Sequence, residues 1–348
     1  MANIQEVAKR AGVSISTVSR VLNGTARVNE NVKERVLAAI EELDYRPSRA
    51  ARSLRANHST IIGLLISDIQ NLFFMDLIKG VEDIAQRSGY SVLLCNSDEN
   101  PQREHQNLDV LYDERVAGLI IVPTREQLRD LERFLERNIP IVAVDRRIKG
   151  KHIDAVLVDN IRGAQEAVAH LIANGYRRIG AITGPKTITT GYERLVGYRQ
   201  ALEEAGIAHD PQLEKLGFFR EASGRQATNE LLTLHPRVEA LFVGNNLMTM
   251  GALDALHAHG LRVPDDMALI GYDAMPWAAL GSISLTTVTQ PAYELGTTAA
   301  LRLFQRLQDP GTQARQEIIL TATLHIRGSS VPHQQPASAL SSTIDETF

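Results

Sequence analysis

The sequence predicts an α/β body of two doubly wound parallel-sheet lobes behind a small, all-helical head. Three observations lead there. From Ile61 onward, short apolar runs alternate with amphipathic helical stretches, the pattern of strands covered by helices on both faces. That alternation runs through twice before Ser330. The first sixty residues hold no such apolar run, only three short stretches with helical spacing. The boundaries predicted are a head over 1–46, a connecting segment over 47–59 and a body over 60–330. Within the body, lobe 1 takes about 60–160 and 291–320, and lobe 2 about 161–290 and 321–330. The Pro/Ser/Gln-rich stretch 331–348 is predicted to be disordered.

In the head, Asn3 is placed to cap a helix in which Ile4, Val7, Ala8 and Ala11 share one face. Gly12 ends it, because a left-handed backbone is cheap only for glycine. Ser14 caps a second helix within GVSISTVSRVLNG, whose Val13, Val18, Val21 and Leu22 form an apolar stripe. Asn29 caps a third, carrying Val32, Val36, Ile40 and Leu43 on one face. Helix, glycine turn, short helix and bracing helix form a helix-turn-helix order. Such a unit lays its second helix in the major groove of DNA. Arg20 is then suited to a two-pronged contact with guanine. Thr17, Ser19 and Asn23 suit phosphate oxygens, and Ile15 and Ser16 face base edges.

Charge supports this division. The chain of 348 residues carries a formal net charge of −4, which excludes a wholly basic nucleic-acid binder. Its first sixty residues nevertheless hold ten Lys+Arg against six Asp+Glu, while the remainder holds 27 against 35. A basic head on an acidic body points to a polyanion that meets only the head.

The connecting segment PSRAARSLR, Pro47 to Arg55, has helix-start signals but only about two turns, too short to persist alone. Leu54 has no periodic apolar neighbour. Paired with its twin across a two-fold axis, it becomes a wedge for a minor-groove base step, with Arg49, Arg52 and Arg55 on flanking phosphates.

In the body, the loops after the apolar strands are where ligands sit in such sheets. They read Asp68-Ile69-Gln70-Asn71 with Phe73 and Phe74, Asp145-Arg146, Gly184-Pro185, Asn245-Asn246, Asp273 and Thr289-Gln290-Pro291. Acids and amides facing one another pair with vicinal hydroxyls, and phenyl rings cover the apolar face of a sugar. Arg194 adds a multi-donor fork. Asp and Asn at such positions also cap the helices that follow.

NIQEVAKRAGVSISTVSRVLNG followed by YRPSRAARSLR resembles the headpiece and hinge of the lac repressor/purine repressor family of bacterial transcription regulators. The likeness is dense over Met1 to Ser59 and looser to about Ser329. It implies a periplasmic-binding-protein-like body, a palindromic operator bound by a homodimer, and control by a small effector. It implies operator contacts at Ile15, Ser16, Thr17 and Arg20, and intercalation by Leu54. It assigns effector contacts to Phe73, Asp145, Arg194, Phe219, Asn245, Asp273 and Gln290. A purine-binding member of the family carries an arginine where this chain has Ile188, which favours a sugar or related metabolite here. Ile15 and Ser16 occupy positions that vary with the operator.

Other classes are disfavoured. Neither Gly-rich phosphate loop, no HExxH pair and no GxSxG elbow occurs. One cysteine, Cys95, excludes an internal disulfide or a cysteine-clustered metal site. His257 and His259 lie on a helix without an acid partner at metal spacing. No catalytic residues, metal or cofactor are therefore expected. A transport-type solute-binding protein would share the two lobes, but the basic head and the missing export signal point to a cytoplasmic regulator. The tail lacks the heptad-bearing helix that joins dimers in some family members, which predicts a dimer.

Overall fold

The computed structural model describes residues 3–23, 28–45, 59–126, 129–149, 153–275, 278–279, 284–309 and 314–332. The segment carrying Arg49, Arg52, Leu54 and Arg55, and residues 333–348 of the predicted tail, lie outside the described residues. The chain divides into two compact units, Met1–Ser59 and Thr60–Phe348.

The first unit is three helices, α1 (Ile4–Ala11), α2 (Ile15–Asn23) and α3 (Glu30–Glu42). A reciprocal capping box opens α1: Asn3 Oδ1 accepts from the Glu6 N–H at 3.0 Å, and the Glu6 carboxylate accepts from the Asn3 N–H at 3.2 Å. Gly12 follows at φ 65°. Ser14 Oγ accepts from the Thr17 N–H at 3.2 Å, and Asn29 Oδ1 from the Asn31 N–H at 3.0 Å. The core is small: Val7, Ala8, Ala11, Val18, Val36 and Ala39. Arg10 ties α1 to Glu42 at the end of α3.

The second unit contains two six-stranded sheets. The first uses β1 (Ile61–Ile66), β2 (Ser91–Asn96), β3 (Gly118–Ile121), β4 (Ile141–Val144), β5 (Asp154–Val158) and β11 (Glu317–Leu320), in the order β11-β5-β4-β3-β1-β2. Every neighbouring pair is parallel. The second uses β6 (Ile179–Thr183), β7 (Glu214–Leu216), β8 (Ala240–Val243), β9 (Ala268–Tyr272), β10 (Thr286–Thr289) and β12 (Thr323–His325), in the order β12-β10-β9-β8-β6-β7. Only the β10–β12 pair is antiparallel.

Both sheets are flanked by helices: α4 (Leu72–Arg87), α5 (Pro101–Asp113), α6 (Glu132–Glu136), α7 (Asn160–Ala173), α8 (Thr189–Glu204), α9 (Glu221–Leu232), α10 (Asn246–Ala258) and α11 (Ala292–Gln308). The chain passes between lobes after β5, after β10 and between β11 and β12. The central strands are apolar because both faces are covered; all but the first residue of β1 is buried. By contrast β7, β11 and β12 are short, mixed and partly exposed. Edge strands of this kind carry little apolar signal, and the sequence reading did not single them out.

Candidate functional site

The head and the body each present a candidate site. On α2, Val18 is fully buried, while Ile15, Ser16 and Arg20 are exposed. Thr17 and Ser19 are half-buried, and the side chain of Asn23 lies outside the described residues. The Ser14 hydroxyl lies 2.7 Å from Ser16 Oγ and 2.9 Å from Thr17 Oγ1. The hydroxyls at the start of α2 therefore form a connected set, which narrows the rotamers available to them.

In the body, all eight effector candidates from the sequence line one cleft between the lobes. Lobe 1 supplies Phe73 and Phe74 from the start of α4, with Asn71 capping that helix through the Phe73 N–H at 3.0 Å. The two rings meet edge to face at 5.0 Å. Asp145 follows β4 at φ 67°. Lobe 2 supplies Arg194 from α8, Phe219 after β7, Asn245 at the start of α10, Asp273 after β9 and Gln290 after β10. Phe219 and Asp273 also have left-handed backbones, at φ 56° and 73°. Aspartate tolerates this region, so the strained residue on the cavity wall is Phe219, at about 1–3 kcal/mol, the kind of strain held at functional sites. Gly184 lets the Phe219 ring lie against it, since a Cβ there would overlap the ring.

Burial orders the polar groups. Gln290 Nε2 donates to Asp273 Oδ1 at 2.5 Å. Its Oε1 is buried with no hydrogen-bond partner among the described residues, so a donor is wanted there. Burial pushes the Asp145 carboxyl up to about 6, against the opposing charges of Arg146 and Arg194. Burial likewise raises the Asp273 carboxyl, again with Arg194 working against it. Burial makes these carboxylates costly to ionise, and hydroxyl donors would relieve that cost.

The arginines are largely committed to the protein. Arg194 donates through Nε to Asn160 Oδ1 at 2.9 Å and through Nη1 to the Gly244 carbonyl at 2.5 Å. Its guanidinium also stacks 3.7 Å above the Tyr272 ring. Arg146 grips both Glu99 oxygens, at 2.8 and 2.6 Å, and lies 5.2 Å from the Phe219 ring centre. Asn245 both lines the cavity and caps α10, accepting from the Met248 N–H at 2.8 Å; the capping and ligand readings of this residue coexist.

The same wall includes four residues not named as candidates: Asn71, Glu99, Arg146 and Thr190. Asn71 and Arg146 stand in strand-end loops already singled out. Glu99 follows β2 in a loop of the same kind, with φ 53°. Thr190, in the first turn of α8, gives no sequence signal. Ile188 is buried in an apolar cluster with Phe219 and Met275 rather than on the cavity wall.

Residues 3–48 match the bacterial regulatory proteins of the lacI family, and residues 59–327 match the periplasmic binding proteins and sugar binding domain of the LacI family. A ribose operon repressor from Halalkalibacterium halodurans is 38% identical over 308 residues, covering 88% of this chain and 91% of that protein. The HTH-type transcriptional repressor PurR of Yersinia enterocolitica is 41% identical over 319 residues, covering 90% and 93%. Among solved structures, a LacI family transcriptional regulator from Enterococcus faecium with bound ribose has a TM-score of 0.70 at 30% identity, covering 79% of this chain and 100% of that one. The lac repressor dimer bound to operator and the anti-inducer ONPF has a TM-score of 0.80 at 28% identity, covering 95% and 99%. With a helix-turn-helix head joined to a two-lobed, ligand-binding body, this chain belongs to the LacI family of DNA-binding transcriptional repressors.

Proposed function

We propose that this chain acts as a homodimer on an inverted-repeat operator and is controlled by a neutral monosaccharide of pentose size, with D-ribose the leading candidate. The observation that carries the sugar reading is the cavity wall itself. Two buried carboxylates and the unpartnered Gln290 Oε1 all seek donors, beside phenyl rings at Phe73, Phe74 and Phe219. Vicinal hydroxyls supply several donors in a small volume. Phosphorylated sugars fit poorly, because Arg146 and Arg194 already have protein partners and three carboxylates face the space. The ribose operon repressor and the ribose-bound neighbour support the same ligand.

The PurR relative favours a second reading, a purine base stacked between phenyl rings. Ile188, where the purine-binding pattern has an arginine, and the carboxylate-rich wall weigh against it. In the head, Ile15, Ser16 and Arg20 are assigned to base edges, Thr17, Ser19 and Asn23 to phosphates, and Leu54 with Arg49, Arg52 and Arg55 to the minor groove. The deciding experiment uses the full chain and an inverted-repeat duplex obtained by selection. Operator affinity should fall by about 10³-fold or more between 50 and 200 mM salt. D-ribose should shift it by roughly 5- to 150-fold. A shift by hypoxanthine and none by D-ribose would replace the sugar with a purine.

The raised Asp145 carboxyl gives a pH signature. Hydroxyl donors stabilise its ionised form, so binding lowers its pKa and ribose affinity rises with pH. That rise should level off above about 6. At pH 5 the affinity should be about tenfold weaker than at pH 7, since each unit below the free-state value costs about 1.4 kcal/mol. Titration calorimetry from pH 5 to 8 checks this, and Asp145→Asn should flatten the profile.

A further inference from the structure

Outside the cavity wall, Arg220, in the loop between β7 and α9, connects the lobes. Its Nη1 donates to Asp68 Oδ2 at 2.8 Å, and its Nη2 to Asp98 Oδ1 at 2.5 Å and to the Asp98 carbonyl at 2.9 Å. Asp68 follows β1 and is buried; Asp98 follows β2. One guanidinium from lobe 2 thus clamps two acidic loops of lobe 1. The Asp68 side chain is only 3% exposed, so this is not a screened surface pair, and removing the cation would strand a buried carboxylate.

Its position in the fold gives the clamp leverage. The chain crosses between lobes next to β5, β10, β11 and β12, at or near one edge of each sheet. Arg220 follows β7, the opposite edge of the second sheet, and its acceptors follow β1 and β2, the opposite edge of the first. A contact far from the crossovers opposes opening of the cleft most effectively. It is also coupled to the cavity through the chain. Phe219, whose ring lines the cavity, immediately precedes Arg220, and Glu99, which holds Arg146 beside that ring, immediately follows Asp98. Phe219, Asp98 and Glu99 all have positive φ, at 56°, 56° and 53°. Ser223 Oγ pins the loop by donating to the Arg220 carbonyl at 2.7 Å and accepting from the Phe218 N–H at 2.9 Å.

We propose that Arg220 is an inter-lobe latch, a positioning residue that holds the cleft closed over the effector and so sets effector affinity without touching it. This rests on the cavity being the effector site. The test compares full-length wild type, Arg220→Met, Arg220→Lys, Asp98→Asn and the Arg220→Met/Asp98→Asn pair, by calorimetry with D-ribose and by small-angle X-ray scattering with and without it. Arg220→Met should weaken D-ribose binding about tenfold, within the usual span of coupling effects. Arg220→Lys should recover part of the loss, and the double variant should be no worse than Arg220→Met alone. The radius of gyration of Arg220→Met at saturating D-ribose should exceed that of wild type. Affinity within twofold of wild type, strictly additive losses, or equal radii would overturn the latch. If wild type binds no D-ribose, the pentose reading fails separately. The ligand-free radii then decide, with expansion in Arg220→Met supporting the latch and equality overturning it.

Discussion

Asp273→Ala is expected to weaken D-ribose binding at least ~100-fold, about 3 kcal/mol, while operator binding in the absence of sugar persists. A hydrogen bond to a charged acceptor contributes about 1.5–3 kcal/mol, and a buried carboxylate in this cavity can accept two from a sugar. The substitution also leaves Gln290 Nε2 without the acceptor it now holds at 2.5 Å. Alanine would further have to adopt φ 73°, which costs about 1–2 kcal/mol outside glycine, asparagine and aspartate. Asp273→Asn separates these effects. It tolerates the left-handed backbone and keeps an acceptor for Gln290, so its loss of affinity should be smaller, about tenfold. Because burial raises the Asp273 carboxyl, its ionised form costs stability at neutral pH. The ligand-free Asn variant should therefore melt no lower than wild type. Calorimetry and thermal unfolding measure both; wild-type sugar affinity in Asp273→Ala would remove Asp273 from the site.

Arg20→Ala should cost the largest share of operator discrimination. A bidentate arginine–guanine pair gives about 1–3 kcal/mol. A dimer makes the contact twice, so specific affinity should fall by about 2–6 kcal/mol, roughly 30- to 10⁴-fold. Affinity for unrelated duplex should change little, because one charge per head contributes weakly to a salt-dependent background. Arg20→Lys should not restore discrimination, since an ammonium lacks the planar fork. Competition mobility shifts with operators altered one base pair at a time read the result. An equal loss on every sequence would make Arg20 a phosphate contact instead.

Much of the fold is legible before any coordinates. Asn3 with Glu6, Gly12, Ser14 and Asn29 mark the head's helix starts and stops, because caps and turns are satisfied within a few residues. The IIGLLIS run and its successors mark the central strands, because burial on both faces excludes polar side chains. The loops holding Asp145, Asn245, Asp273 and Gln290 follow from strand ends alone. Less legible are the edge strands β7, β11 and β12, half-exposed and so free to be polar. Glu99 and Thr190 were missed for a related reason: a polar residue beside a strand or on a first helical turn is the common case, and nothing local separates a ligand wall from solvent.

The sequence by itself determined the head's helices, the central strands and which loops gather at the open ends of the sheets, since periodicity and capping are properties of neighbours along the chain. Only the tertiary structure decided who faces whom. Arg146 finds Glu99 across 47 positions, Arg194 meets Asn160 across 34, and Arg220 reaches Asp68 across 152. Those pairings commit three arginines to protein partners and leave Asp145, Asp273 and Gln290 facing the cavity. They depend on which loops each sheet brings together and, for Arg220, on how the two lobes close, relations that no one-dimensional pattern of polarity encodes.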